Sequence, residues 1–295
     1  MGETGHVLDY HVHLWPHGAK AGPLTVDQLA ARCDAAAARG VAEVAVTEHL
    51  FRFSCAEAVL GGCFAGDPDP VLRDRMRAYW SEHTGADLDQ YVTTVLEAQA
   101  AGLPVVLGLE VDHYAGRMDR VAELVAGYPF DVLLGSVHWI GAWGFDNLED
   151  GVAMAEWGRR PLDAVWDAYV GCLEELAASG VCDVLAHPDL PKVAGHRPAD
   201  PEGWYDRIAA AAGASGLAAE VSSAGWRKPA GEAYPAPALL ARFAKAGVPV
   251  TTGSDAHRLS DVGVGVDALV PLLRDAGYHT VTAFRRRAHR TVELH

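Results

Sequence analysis

Apolar residues in this chain gather into short runs rich in Val, Leu and Ala, separated by longer stretches in which apolar positions recur every three or four residues. The short runs predict seven strands: Val7–His13, Glu43–His49, Val105–Glu110, Val132–His138, Cys182–His187, Ala218–Ser222 and Val248–Thr252. The stretches between them predict helices centred near Val95, Val121, Leu173, Ala210, Leu240 and Leu272. A further helix opens at Thr25-Val-Asp-Gln28, whose Thr and Gln form a capping box, and closes at Gly40. Strand and helix alternating in this way describe repeated βα units around a parallel sheet.

Composition supports a buried core: half of the 295 residues are apolar and 21% are charged. No apolar run approaches the roughly 20 residues of a membrane span. The start, MGETGHVLDYH, has neither the basic residues nor the apolar stretch of a secretory signal, so a cytoplasmic location is expected. Cys33, Cys55, Cys63, Cys172 and Cys182 are an odd set without a CxxC pair, which predicts reduced, packed thiols. A formal charge of −15 argues against nucleic acid as a partner but not against a small phosphate, because bound divalent cations reverse the local field.

The residues at the strand ends change the picture most. In order they are His11 and His13, Glu48 and His49, Glu110, His138, His187, Ser222, and Asp255 and His257. Six of the seven predicted strands thus end in His, Glu or Asp. In a (β/α) barrel all strand C-termini share one face, so this scattered set becomes a single metal-competent site. His6, His83, His113, His279, His289 and His295 fall outside the pattern and are expected at the surface or in packing.

The motifs DYHVH (9–13), TEH (47–49), GLE (108–110), GSVHW (135–139), AHPD (186–189) and GSDAH (253–257), in this order, resemble the polymerase-and-histidinol-phosphatase (PHP) family. The segments YPFDVLLGSVHWIGAW, LAHPDLPKVAGHRP and KPAGEAYPAPALLARFAKAGVPVTTGSDAHR resemble its histidinol-phosphatase branch. The resemblance implies an α/β fold, a distorted (β/α)7 TIM-like barrel formed by one domain over residues 1–295, with two or three divalent ions at its mouth. It implies that His11, His13 and Asp255 hold the first ion, that Glu110 bridges to a second held with His138 and His187, and that His49, His257 and His17 hold the third. Asp255, His257 and Glu110 are accordingly the expected catalytic side chains. Two departures stand out: His17 follows His13 more closely than the family's usual arrangement, and Glu48 stands where the family commonly has Asp.

Imidazole with a few carboxylates suits zinc, iron or manganese better than calcium or magnesium. Paired cations lower the pKa of a bridging water and neutralise phosphoryl oxygens, both of which a phosphate monoester requires. For the substrate, Arg197, Arg258 and His196 are the candidate phosphate contacts, with Arg227 and Arg160 behind them, and Ser222 and Ser223 the candidates for an amine or alcohol end. Trp139, Trp143 and Phe145, spaced by Gly141 and Gly144, suggest a mobile wall over the site, from which Asp146 and Asn147 meet a ligand amine; Cys182 is assigned to the core. The resulting expectation is hydrolysis of L-histidinol phosphate to histidinol and phosphate. The competing expectations are a PHP phosphoesterase for another small monoester or nucleotide, a non-catalytic module of a DNA polymerase, and C–N hydrolysis in the manner of amidohydrolases.

Overall fold

A computed structural model describes residues 7–294; His6 and His295 lie outside them. The strands in chain order are β1 (Val7–Val12), β2 (Val41–Val46), β3 (Val105–Asp112), β4 (Val132–Ser136), β5 (Trp139–Ile140), β6 (Trp143–Gly144), β7 (Val184–Leu185), β8 (Ala218–Ser222), β9 (Val250–Gly253), β10 (Thr280–Arg285) and β11 (Ala288–Glu293). The parallel sheet runs β1-β2-β3-β4-β7-β8-β9, and all seven of its members coincide with predicted strands. It curls until its edges meet: Val12 bridges Ala256, and the His13 amide donates to the Ala256 carbonyl at 2.8 Å. The result is a distorted seven-stranded barrel.

Alternation of side chains divides the packing. Val106, Val132, Leu134 and Val184 fill the barrel interior, while Leu107, Leu109, Leu133 and Leu185 pack outward against helices such as Leu88–Ala100 and Leu162–Ala178. Along β1, Leu8 and Tyr10 belong to the interior cluster. A register irregularity between Asp9 and Val12 then resets the alternation, so that His11 and His13 also face inward, one layer nearer the mouth. β7 ends short of the predicted His187 because that residue takes φ +28°, outside the extended region, and its amide donates to the Glu220 carboxylate at 2.8 Å.

The helix at Val26–Ala37 begins in the predicted capping box at Thr25 and Gln28, and Gly40 takes φ +77° beyond its end. Three helices fall outside the predicted set: Ser54–Leu60, Pro70–His83 and Gly151–Glu156. So does the antiparallel hairpin β10–β11, which closes the N-terminal end of the barrel. Its Phe284 amide donates to the Tyr10 hydroxyl at 3.0 Å, and its Arg285 and Arg287 pair with Asp131 and Asp183, which sit just before β4 and β7. No helix among the described residues is long and apolar enough to cross a membrane. All five cysteines are free, and Cys182 is buried.

Candidate metal centre

Glu110, fully buried near the end of β3, is the hub of the barrel mouth. One of its carboxylate oxygens lies 3.4 Å from His11 Nε2, 3.4 Å from His13 Nε2 and 2.8 Å from His49 Nδ1. The other lies 3.0 Å from His187 Nε2 and 3.4 Å from His138 Nε2. Asp255 Oδ1 approaches His11 Nε2 at 3.8 Å and His13 Nε2 at 3.4 Å. Four groups of ligand atoms converge within 4.8 Å: His13-His49-His257, His11-His13-Asp255, His11-Glu110-His187 and His49-Glu110-His138.

Three carboxylates behind the rings set their orientation. Asp112 accepts from His138 Nδ1 at 2.6 Å, Glu220 from His11 Nδ1 at 2.9 Å, and Glu48 lies 3.4 Å from His13 Nδ1. With Nδ1 so engaged, each Nε2 lone pair is directed at the hub. Gly253 makes room for this, because a Cβ there would collide with the Glu220 carboxylate and with His11 Cβ. The backbone is strained at two of the converging residues, His187 (φ +28°) and Asp255 (φ +50°). The sequence signals for Asp112 and Glu220 were present but unused. Asp112 stands two residues after Glu110, hence on the same face of its strand, and Glu220 is a carboxylate inside an apolar strand.

Buried polar atoms normally find partners. Here His11 Nε2, His13 Nε2, His49 Nδ1, Glu110 Oε2, His187 Nδ1 and His257 Nε2 are buried with none. Charges show the same imbalance. Burial disfavours the Glu110 anion, yet His138, His11 and His49 hold its carboxyl well below the usual range. Burial also disfavours a charged His138, but Glu110, Asp112 and Asp146 outweigh it and raise that imidazole to about 10. Asp112 is pushed up to about 6 by burial, against the pull of His138. Burial drives His49 down to about 3 despite Glu110. His257 is lowered by burial and by the neighbouring His13 and His17. The donor set of imidazoles around shared carboxylates fits divalent cations of the zinc, iron and manganese type.

His17 sits apart from the four convergent groups. Its ring lies flat on His257 at 3.6 Å, His257 stacks on His13 at 4.0 Å, and His13 on His49 at 4.3 Å, giving a column of four imidazoles.

A cavity of about 400 Å³ opens beside the cluster, lined by His49, His138, His187, Asp255 and His257 on one side and by Phe51, Met76, Tyr79, His83 and Trp139 on the other. His83, expected at the surface or in packing, is therefore a cavity wall. Several predicted substrate contacts lie elsewhere. Arg197 is drawn away by Glu232 at 2.8 Å and by the Ala230 carbonyl, Arg258 is exposed outside the lining, His196 stacks on Trp157 at 5.0 Å, and Ser222 accepts from the Ala224 amide in a turn. Ser223 donates to the Val264 carbonyl, Arg227 to the Ser254 carbonyl, and Arg160 packs over Trp143. Two cations do line the cavity: Arg75, which is paired with Asp150 at 2.7 Å, and Lys228. Of the three predicted wall aromatics only Trp139 lines it; Trp143 and Phe145 are wholly buried, so they form packed core and not a mobile wall. Asp146 and Asn147 both reach the lining.

The model of the PHP domain matches residues 9–224, which is most of the chain. The chain belongs to the PHP family. A Deinococcus radiodurans relative, named a probable histidinol-phosphatase, is 41% identical over 203 residues, covering 68% of this chain and 76% of the relative. Among solved structures, histidinol phosphate phosphatase from Lactococcus lactis, determined with zinc, L-histidinol and phosphate, aligns with a TM-score of 0.69 at 18% identity, over 96% of this chain and 98% of that one. A Listeria monocytogenes structure aligns with a TM-score of 0.70, also at 18% identity, over 88% and 98%. At these identities the two structures show a shared fold. Asp255 and His257 lie beyond the matched residues.

Proposed function

We propose that this protein is a metal-dependent phosphomonoesterase that hydrolyses L-histidinol phosphate. The observation that carries the reaction class is the set of buried, unpartnered imidazole and carboxylate atoms converging on Glu110 at the barrel mouth. The substrate assignment is supported by the 41% identity to the Deinococcus radiodurans relative of that name. Reading residues 1–295 as one domain is supported by the hairpin β10–β11, which contacts Tyr10 of β1, Glu43 of β2, and Asp131 and Asp183 just before β4 and β7.

In this reading His11, His13, Glu110 and Asp255 would hold one divalent ion, Glu110, His138 and His187 a second, and His49 and His257, beside His13, a third, with His17 stacked on His257. Bound ions of this kind supply an activated water and neutralise the phosphoryl oxygens. The chain's own residues do the rest. Asp112, Glu220 and Glu48 keep the imidazoles in the tautomer that presents Nε2 inward. Lys228, with no ion-pair partner among the described residues, takes the place first assigned to Arg197 and Arg258 and meets the phosphate as a point charge. Asp146, likewise unpaired among the described residues, meets the protonated amine while Phe51, Tyr79 and Trp139 enclose the imidazole.

The test is a panel of phosphate monoesters on protein loaded with zinc or manganese. Histidinol phosphate is expected to be preferred by at least about tenfold in kcat/KM. A flat profile, or preference for a sugar phosphate or nucleotide, overturns the substrate; no metal-dependent hydrolysis of any monoester overturns the reaction class.

A further inference from the structure

The residue pair Glu48 and Arg52 lies under the loop that follows β1, and both side chains are wholly buried. Glu48 accepts from the amides of Leu14 at 2.9 Å and Trp15 at 3.3 Å, while its other oxygen accepts from the His49 amide at 3.0 Å and faces His13. Arg52, 3.2 Å from Glu48, donates to the carbonyls of Ala19 at 3.0 Å and Pro16 at 3.2 Å. Arg32 takes the carbonyls of His13 and Leu14 from the other side. A surface loop normally leaves its backbone groups to water. Here six backbone groups between residues 13 and 19 are held by three buried charged side chains, and the loop's exposed tip carries the His17 ring that lies on His257.

We infer that Glu48 and Arg52 are positioning residues: by clamping the loop at residues 14–19 they seat His17 on His257, and so fix the placement of His257 and His49 beside His13. The two departures noted in the sequence then form one device. A loop this short has no lock of its own, and the extra methylene of glutamate lets one carboxylate span His13, the His49 amide, two loop amides and Arg52 at once. Aspartate would be too short to satisfy all of them. This inference rests on the reading of the mouth as a metal site, but the clamp itself does not.

The experiment compares the wild type with Glu48→Asp, Arg52→Lys and His17→Ala, the last being at an exposed position that cannot upset the core. Hydrogen exchange at residues 14–19 is measured without added metal, and the number and affinity of bound zinc ions are then measured by titration. Glu48→Asp and Arg52→Lys are expected to speed exchange in the loop and to weaken one zinc ion by about 10–100-fold, leaving the tightest ion unchanged. His17→Ala is expected to weaken the same ion. Unchanged loop exchange in both clamp variants overturns the inference. So does a zinc loss in Glu48→Asp that His17→Ala fails to reproduce, since the effect would then run through His13 directly. If the wild type binds no zinc, the metal reading fails by itself, and the exchange data still decide the clamp.

Discussion

The two ends of the barrel are built from the same kinds of charged side chain and put them to opposite uses. At the bottom, Asp131 accepts from the Leu107 and Arg286 amides, Gln99 and Arg285, and Asp183 accepts from the Leu133 amide and Arg287. Both of these carboxylates have partners within the chain. At the mouth, Glu110 faces His11, His13 and His49, whose inward nitrogens have none. Buried polar groups that satisfy one another hold a fold together; those left waiting mark where something else binds.

The comparison breaks most clearly at Glu110. Glu110→Gln removes the shared negative charge and is expected to lower kcat by about a thousandfold or more, near 4 kcal/mol of transition-state stabilisation, with the fold retained by circular dichroism. Retained activity with a full metal count would show that the hub is structural, like its counterparts at the bottom. Next comes metal removal. Chelation of the loaded protein is expected to cost about 4 kcal/mol if free metal stood a thousandfold above its Kd, read as a drop in Tm, and to leave the bottom hairpin's exchange protection intact. Asp112→Asn keeps the shape but loses the charge behind His138, and is expected to weaken metal binding by about 10–100-fold. At the other end, Arg287→Ala strands the mostly buried Asp183 and is expected to lower stability by about 1–3 kcal/mol with kcat/KM unchanged. The smallest effect has the opposite sign. Arg286 sits at φ +49° with its side chain exposed, so Arg286→Gly is expected to raise stability by about 0.5–1 kcal/mol in chemical denaturation.

The mouth was far more legible in the sequence than the bottom, for a physical reason. Ligand-forming side chains must stand at strand ends, so His11, His13, Glu110, His138 and His187 announced both the strands and their shared face. The hairpin carried no such mark. Its two-residue turn is Arg286-Arg287, both with positive φ, where Asn or Gly is the usual signal; Asp131 and Asp183 hold a conformation the turn's own residues disfavour. The helix Pro70–His83 was hidden because its apolar stripe of Leu72, Met76 and Trp80 is narrow among charged positions. Arg197 was misplaced in the sequence reading because motif proximity says nothing of direction, and Glu232, 35 positions away, draws it off.

The bottom hairpin has one practical consequence. Val7 at the head of β1 and Leu294 after β11 both pack in the cluster at that end, opposite the cavity. A molecule anchored to a bead or sensor surface through this face of the barrel would present its mouth to the bulk solution, so immobilised enzyme should admit substrate as freely as enzyme in suspension.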